Sequence, residues 1–112
     1  MGQQMTATAT QCRIGLTITG PEFNTVVTTA SYSAKNSDAH IFCDGLAMTI
    51  TLPNPAYHGE IHTIKDASGA AGTNNITVSG NGNTIDGAAT QTINTNYGKL
   101  TLAWNETEWS IV

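Results

Sequence analysis

The sequence predicts an all-β fold, a single domain built as an antiparallel β-sandwich or jelly roll. Apolar side chains alternate with Thr, Ser or Ala in residues 48–52, 100–104 and 109–111, and a period of two places one side chain in the core and the next in solvent. Threonine occurs nineteen times and asparagine ten times, a composition that favours strands and turns. About ten short segments recur at roughly 8–12-residue spacing without a helical period, which is typical of sandwiches and jelly rolls.

The charge composition argues against nucleic acid and membrane as partners. Only 11% of the 112 residues are charged and the net charge is −4, whereas a phosphate-binding face needs clustered Lys and Arg. No apolar stretch is long enough to cross a bilayer, and no basic segment precedes an apolar one as in a signal peptide. The four basic residues are scattered: Arg13, Lys35, Lys65 and Lys99.

The first part of the chain, residues 1–19, is predicted to form an N-terminal arm with the first strand or strands, and residues 20–112 to form the body. Residues 6–10 alternate Thr with Ala, and residues 12–18 have four apolar side chains at every second position. In one regular strand these apolar side chains would lie on the same face as the threonines. A twist or a bulge would reconcile the two patterns. We expect residues 1–10 to be an arm or edge strand that contacts a partner. The candidate interface residues are Met5, Thr6, Thr8 and Thr10.

Turn signals divide the middle of the chain into short strands. Gly20-Pro21 marks a turn, and residues 24–29 and 31–34 are typical of short strands. The apolar residues 40–43 end at Asp44-Gly45, a pair that predicts a tight hairpin into residues 46–52. Pro53 then ends that strand, because proline has no N–H to donate.

The C-terminal half continues in the same way. Strands are predicted at residues 61–64, 75–78, 84–85, 90–93, 99–104 and 109–112. The glycines of residues 79–83 predict a turn, and residues 105–108 are expected to turn the final hairpin. Trp104 and Trp109 face each other across this hairpin, where a core pair is expected and stacking on a sugar or a partner is the alternative.

Two cysteines, Cys12 and Cys43, lie in apolar strand-like segments. We expect two reduced, buried thiols, while a disulfide stays open because the number is even. Zinc is not expected, since no C-x-x-C pair is present.

Two groups of residues have the composition of a chemical site. His58, Glu60 and His62 would share one strand face, as a metal site requires, although solvated residues at a strand end are the simpler interpretation. A second group has the side chains of a hydrolase triad without any motif that activates a serine: Ser31, Ser33, Ser37, His40 and Asp44. We therefore expect no catalytic residue, no cofactor and no metal.

The order of the motifs resembles that of virion proteins of tailed bacteriophages, namely fibre tips, tail-needle knobs and head decoration proteins. The resemblance covers residues 31–112. It rests on the segments TITLP (49–53), IKDASG (64–69), NITV (75–78), TIDG (84–87), the closing residues 98–104 and WSIV (109–112). It implies a β-sandwich or jelly-roll module that assembles as a dimer or trimer.

The chain shows no coiled-coil or collagen-like stalk, which a fibre tip needs. The resemblance therefore implies a non-enzymatic capsid decoration protein, a cement or staple that bridges subunits of the major capsid protein on the outer surface of the virion. Such a protein is assembled in the cytoplasm of the bacterial host. A receptor-binding fibre or tail knob, or a tail adaptor, is the alternative. Thr-rich strands with few charges leave sheet edges that another copy of the chain would cover.

Overall fold

The structure is a computed structural model that describes residues 24–112. The strands of this part of the chain form two sheets. Sheet A has five strands in the order β1-β3-β5-β8-β9, and sheet B has four in the order β2-β4-β6-β7. Residues 24–112 contain no helix, so the predicted all-β class is confirmed for this part of the chain. The strands are β1 (Thr25–Thr28), β2 (Tyr32–Ser33), β3 (His40–Cys43), β4 (Met48–Thr51), β5 (Ile61–Asp66), β6 (Ile76–Ser79), β7 (Thr90–Ile93), β8 (Lys99–Trp104) and β9 (Trp109–Ile111).

The first six strands enter the two sheets in turn. Strands β1, β3 and β5 lie side by side in sheet A, and β2, β4 and β6 in sheet B. Each strand is parallel to its neighbour in the same sheet, because the chain returns to one sheet only after passing through the other. The predicted purely antiparallel arrangement is therefore wrong for these strands.

The last three strands are antiparallel to their neighbours. Strand β7 pairs with β6, β8 with β5, and β9 with β8. The final hairpin has the predicted register, with Trp104 opposite Trp109. Its turn is closed by the Asn105 N–H, which donates to the Glu108 carbonyl over 3.0 Å. This part of the prediction is confirmed.

The core lies where the alternating apolar side chains of both sheets meet in one cluster. Ile41 and Ile64 of sheet A and Ile50 and Val78 of sheet B have no exposed surface. Burying a side chain of this size contributes about 1.5–3 kcal/mol. In β4 and β5, every second residue is buried, so the period of two seen in the sequence marks the core face.

The hairpin predicted at Asp44-Gly45 is not formed. Asp44-Gly45 leads from β3 in sheet A to β4 in sheet B, because the apolar faces of both strands are better buried against each other than side by side. The turn predicted within residues 79–83 is present, with the Asn83 N–H donating to the Gly80 carbonyl, but residues 84–85 form no strand, and β6 pairs with β4 and β7. Ile85 instead makes isolated bridges to Ala88 and Trp109.

The predicted N-terminal arm lies outside the described residues, as do the candidate interface residues Met5, Thr6, Thr8 and Thr10. Among residues 24–112, no helix is long and apolar enough to cross a membrane.

Candidate functional site

The structure brings together two of the three residues in the predicted His/Glu group. Strand β5 begins at Ile61, so His62 lies within the strand and Glu60 just before it. The His62 Nε2 atom is 2.5 Å from Glu60 Oε2, and both side chains are buried. His58 points elsewhere: its Nδ1 contacts Glu106 Oε2 at 2.6 Å on the surface. The three residues therefore do not form one ligand set.

His62 is held at both ring nitrogens. Its Nδ1 lies 2.5 Å from the backbone carbonyl of Asp38. Because a carbonyl only accepts hydrogen bonds, Nδ1 carries a proton and donates it. The contact between Nε2 and Glu60 Oε2 gives each of these two buried side chains a polar partner, as burial of polar groups requires.

The partners of His62 are themselves fixed. Glu60 Oε1 accepts hydrogen bonds of 2.9 Å from the Asn36 side-chain amide and from the Tyr57 N–H. The Asp38 carboxylate accepts from the Tyr32 hydroxyl at 2.7 Å and from the Lys35 N–H at 2.8 Å. Donation to this carboxylate, burial and the nearby negative charge raise the pKa of Tyr32 to about 12. We call Tyr32, Asp38, Glu60 and His62 the His62 cluster.

Two tryptophans close the His62 cluster on one side. The Trp109 ring lies 5.5 Å from the His62 ring and 5.4 Å from the Trp104 ring, the latter in an edge-to-face arrangement. Trp109 is fully buried, and its Nε1 has no hydrogen-bond partner among residues 24–112. The predicted core pair is confirmed, and Trp109 presents no surface for stacking on a sugar. The His62 cluster links the chain around residues 32–38 to sheet A.

The side chains that have the composition of a hydrolase triad, which we did not expect to be catalytic, are not brought together. Ser31 Oγ accepts the Thr49 N–H at 2.9 Å, and the His40 ring stacks on Phe42 at 6.2 Å. Asp44 is exposed and receives no side-chain partner from Ser37 or His40 within the described chain. Residues 24–112 also contain no group of three or more His, Cys, Asp or Glu side chains that could hold a metal ion.

Asp66, which the sequence did not single out, is the most heavily bonded acidic side chain of the described residues. Its Oδ1 accepts the Ser68 N–H, the Ser68 hydroxyl and the Gly69 N–H at 3.1–3.2 Å. Its Oδ2 accepts the Ala71 and Tyr97 N–H groups, each at 2.9 Å. Burial opposes the charged form, but these donors outweigh it and lower the pKa of Asp66 to about 2,.

Two other residues of the IKDASG segment lie beside Tyr97, whose N–H donates to this carboxylate. Gly69 has a φ of +77°, and a Cβ there would lie 2.5 Å from the Tyr97 ring. Lys65 donates to the Tyr97 carbonyl, and its Nζ lies 5.3 Å from the centre of the Tyr97 ring. We call this arrangement the Asp66 cap. It joins the loop after β5 to the turn before β8, and so gives a structural reason for the motif.

The TIDG segment also has a structural role. Asp86 and Gly87 both have positive φ, 47° and 85°, and form the two central residues of a tight turn between Ile85 and Ala88,. Glu108 Oε1 accepts the Thr84 hydroxyl and the Gly87 N–H, which lowers the pKa of Glu108. This acidic side chain thus fixes a turn.

Cys43 is reduced and buried. Burial, followed by the nearby charge of Asp66, raises the pKa of its thiol to about 11, so little reactive thiolate is present at neutral pH. The expected buried thiol is confirmed at this position, whereas Cys12 lies outside the described residues.

The outward faces of the two sheets differ in chemistry. The sheet A outer face carries exposed apolar side chains, among them Val27, Ile61 and Val112, which are 67%, 55% and 72% exposed. Its two lysines, Lys65 and Lys99, are direct neighbours at one end. The sheet B outer face carries only hydroxyl side chains, at Ser33, Thr49, Thr51, Thr77, Ser79, Thr90 and Thr92.

Comparison of the chain with models of known protein families finds no match, and comparison with curated proteins finds none either.

Proposed function

We propose that this chain is a non-enzymatic decoration protein of a phage capsid, a cement or staple that binds the outer surface of the assembled shell and bridges subunits of the major capsid protein. Its body would be a two-sheet β-sandwich that assembles as a dimer or trimer. The proposal starts from the motif order of residues 31–112. The observation that carries it is the sheet A outer face, which exposes large apolar side chains in a chain with few charges.

The exposed apolar residues of this face lie at both of its ends. Ile61 stands at the start of β5 and is paired with Ala103, whereas Val27 shares a row with Phe42, Lys65 and Lys99 at the other end. Exposed apolar side chains together with a few charges are a composition that suits a protein contact. The two lysines would favour an acidic patch on the partner.

The size of the face sets how it would bind. Five strands about 4.8 Å apart and about five residues long cover on the order of 400 Å². A stable interface buries about 800 Å² on each partner. One face is therefore too small for tight binding, and several copies held in an oligomer would have to bind the shell together. Binding only to the assembled shell would stabilise it by mass action.

The arrangement of the titratable groups supports a structural role. In the His62 cluster and the Asp66 cap, each carboxylate is occupied by donors from the protein itself. His62 has no exposed surface, so a substrate would not reach it. These groups hold strands and loops in place, as a protein that works by binding requires.

The proposal is tested by mixing the full-length protein with undecorated capsids of the phage that encodes it and sedimenting the particles. We expect stoichiometric retention of the wild type and loss of retention for Ile61→Asp. Leu46→Asp is the matched control, because Leu46 is 64% exposed but lies between β3 and β4, away from the sheet. Absence of wild-type retention, or equal loss in both variants, would contradict the proposal.

A receptor-binding knob or tail adaptor is the second candidate. Tyr57 and Tyr97 are exposed by 67% and 62%, and exposed aromatic rings are suited to contact a sugar or a protein receptor. A cell-binding assay distinguishes the two functions. Binding of the isolated protein to host cells, abolished by Tyr57→Ala and unaffected by Ile61→Asp, would favour the knob.

A further inference from the structure

The sheet B outer face is a regular grid of hydroxyl groups. One row consists of Thr49, Thr77 and Thr92, and the strand pairing places these three residues directly beside one another. The second row consists of Ser33, Thr51, Ser79 and Thr90, again in direct register. Neighbouring strands are about 4.8 Å apart, and residues two apart along a strand are about 6.6 Å apart. The hydroxyls thus repeat in two directions.

The threonine hydroxyls of this grid are unused. None of the five makes a hydrogen bond within residues 24–112. Some threonine hydroxyls outside the grid are engaged: Thr28 donates to a carbonyl, Thr63 contacts Thr101, and Thr84 donates to Glu108. The sheet B outer face is therefore an ordered surface with free donors and acceptors.

Several kinds of partner fit this face poorly. A dry contact with an apolar protein surface would bury the hydroxyls unsatisfied, which costs free energy for each group. No charged side chain stands in the grid to hold an ion. No aromatic ring stands there to stack on a sugar, and the outward side of a sheet offers no cleft for a small ligand. The partner must return a hydrogen bond at each point of a neutral, repeating array of hydroxyls.

We propose that the sheet B outer face binds the surface of ice. Ice presents a repeating lattice of oxygen atoms with spacings of this size, and each of its water molecules both donates and accepts. A hydroxyl does the same and can replace a lattice water. Threonine is stiff at χ1, so its hydroxyl loses little freedom on binding, and its methyl group is removed from liquid water. This activity is separate from capsid decoration and uses the opposite side of the molecule.

The test measures inhibition of ice recrystallisation and shaping of single ice crystals by the full-length protein. We expect activity for the wild type and loss of activity for Thr77→Lys, which puts a strongly hydrated charge in the middle of the grid. Thr63→Lys is the matched control, since it places the same charge on the sheet A outer face and should leave ice binding unchanged.

Thermal unfolding checks that each variant is folded. If Thr77→Lys does not fold, Thr92→Lys on strand β7 takes its place. Wild-type activity no greater than that of serum albumin at equal concentration would overturn the proposal. Equal effects of Thr77→Lys and Thr63→Lys would also overturn it, because the activity would then not belong to this face.

Discussion

Replacing Asp66 by Asn should strongly destabilise the protein. The carboxylate accepts five hydrogen bonds, four of them from backbone N–H groups. In Asp66→Asn, one oxygen becomes an NH2 group that faces N–H donors, so at least two of these bonds are lost. Asp66 is buried, and so is the Ala71 N–H that binds its Oδ2, so water cannot replace this acceptor.

The magnitude follows from the pKa. A fall in the pKa of Asp66 from 3.8 to about 2 corresponds to roughly 2–3 kcal/mol of preference for the charged form in the folded state. Hydrogen bonds to charged groups are worth about 1.5–3 kcal/mol each in substitution experiments. We therefore expect a loss of about 3 kcal/mol in the free energy of unfolding, and a fall in Tm of more than about 10 °C for a domain of this size.

The same reasoning gives a pH dependence. Because the folded-state pKa of Asp66 is lowered, its contribution to stability is present above the unfolded-state value near 3.8 and is lost as the pH falls toward 2,. Urea unfolding followed by circular dichroism should show the gap between wild type and Asp66→Asn at pH 7 and a much smaller gap near pH 2. Asp44→Asn, an exposed control with the same change in charge, should differ from wild type by less than about 0.5 kcal/mol. A stability of Asp66→Asn within about 1 kcal/mol of wild type at pH 7 would refute the reasoning.

Two further predictions use matched pairs in the same structure. Glu60→Gln should lower the free energy of unfolding by about 3 kcal/mol, because it leaves the buried His62 without its carboxylate partner,. Glu106→Gln, which removes the partner of the exposed His58, should lower it by less than about 1 kcal/mol. Urea titrations of both variants measure the two losses, and equal losses would contradict the prediction. Gly69→Ala should destabilise more than Gly59→Ala, because both glycines have a φ of +77° but only at Gly69 would the new Cβ meet the Tyr97 ring. Each alanine carries a backbone cost of about 1–3 kcal/mol. A Tm of Gly69→Ala equal to or above that of Gly59→Ala would show that the ring moves aside freely.

The local sequence predicts part of this architecture. The alternation of Met48, Ile50 and Leu52 identified a core face, because successive side chains of a strand point to opposite sides in any sheet. The final hairpin was predicted with its turn and its tryptophan pair, since both depend on residues close together in the chain. The choice of strand neighbours was not predicted correctly. A period of two is the same in parallel and antiparallel sheets. The sequence pattern therefore does not show that the chain passes alternately between the two sheets from β1 to β6.

The sequence by itself therefore determined the all-β class of the described residues, most strand positions and the inward apolar residues of the clearly alternating strands, because these follow from backbone geometry and the hydrophobic effect acting on neighbouring residues. Only the tertiary structure decided that Asp66 meets the N–H of Tyr97, thirty-one residues away, and that His62 meets the carbonyl of Asp38. It also decided that the sheet A outer face combines exposed apolar side chains with two lysines, whereas the strands of sheet B present hydroxyl side chains outward. Such contacts depend on which strands become neighbours, and that choice is made by the packing of the whole core.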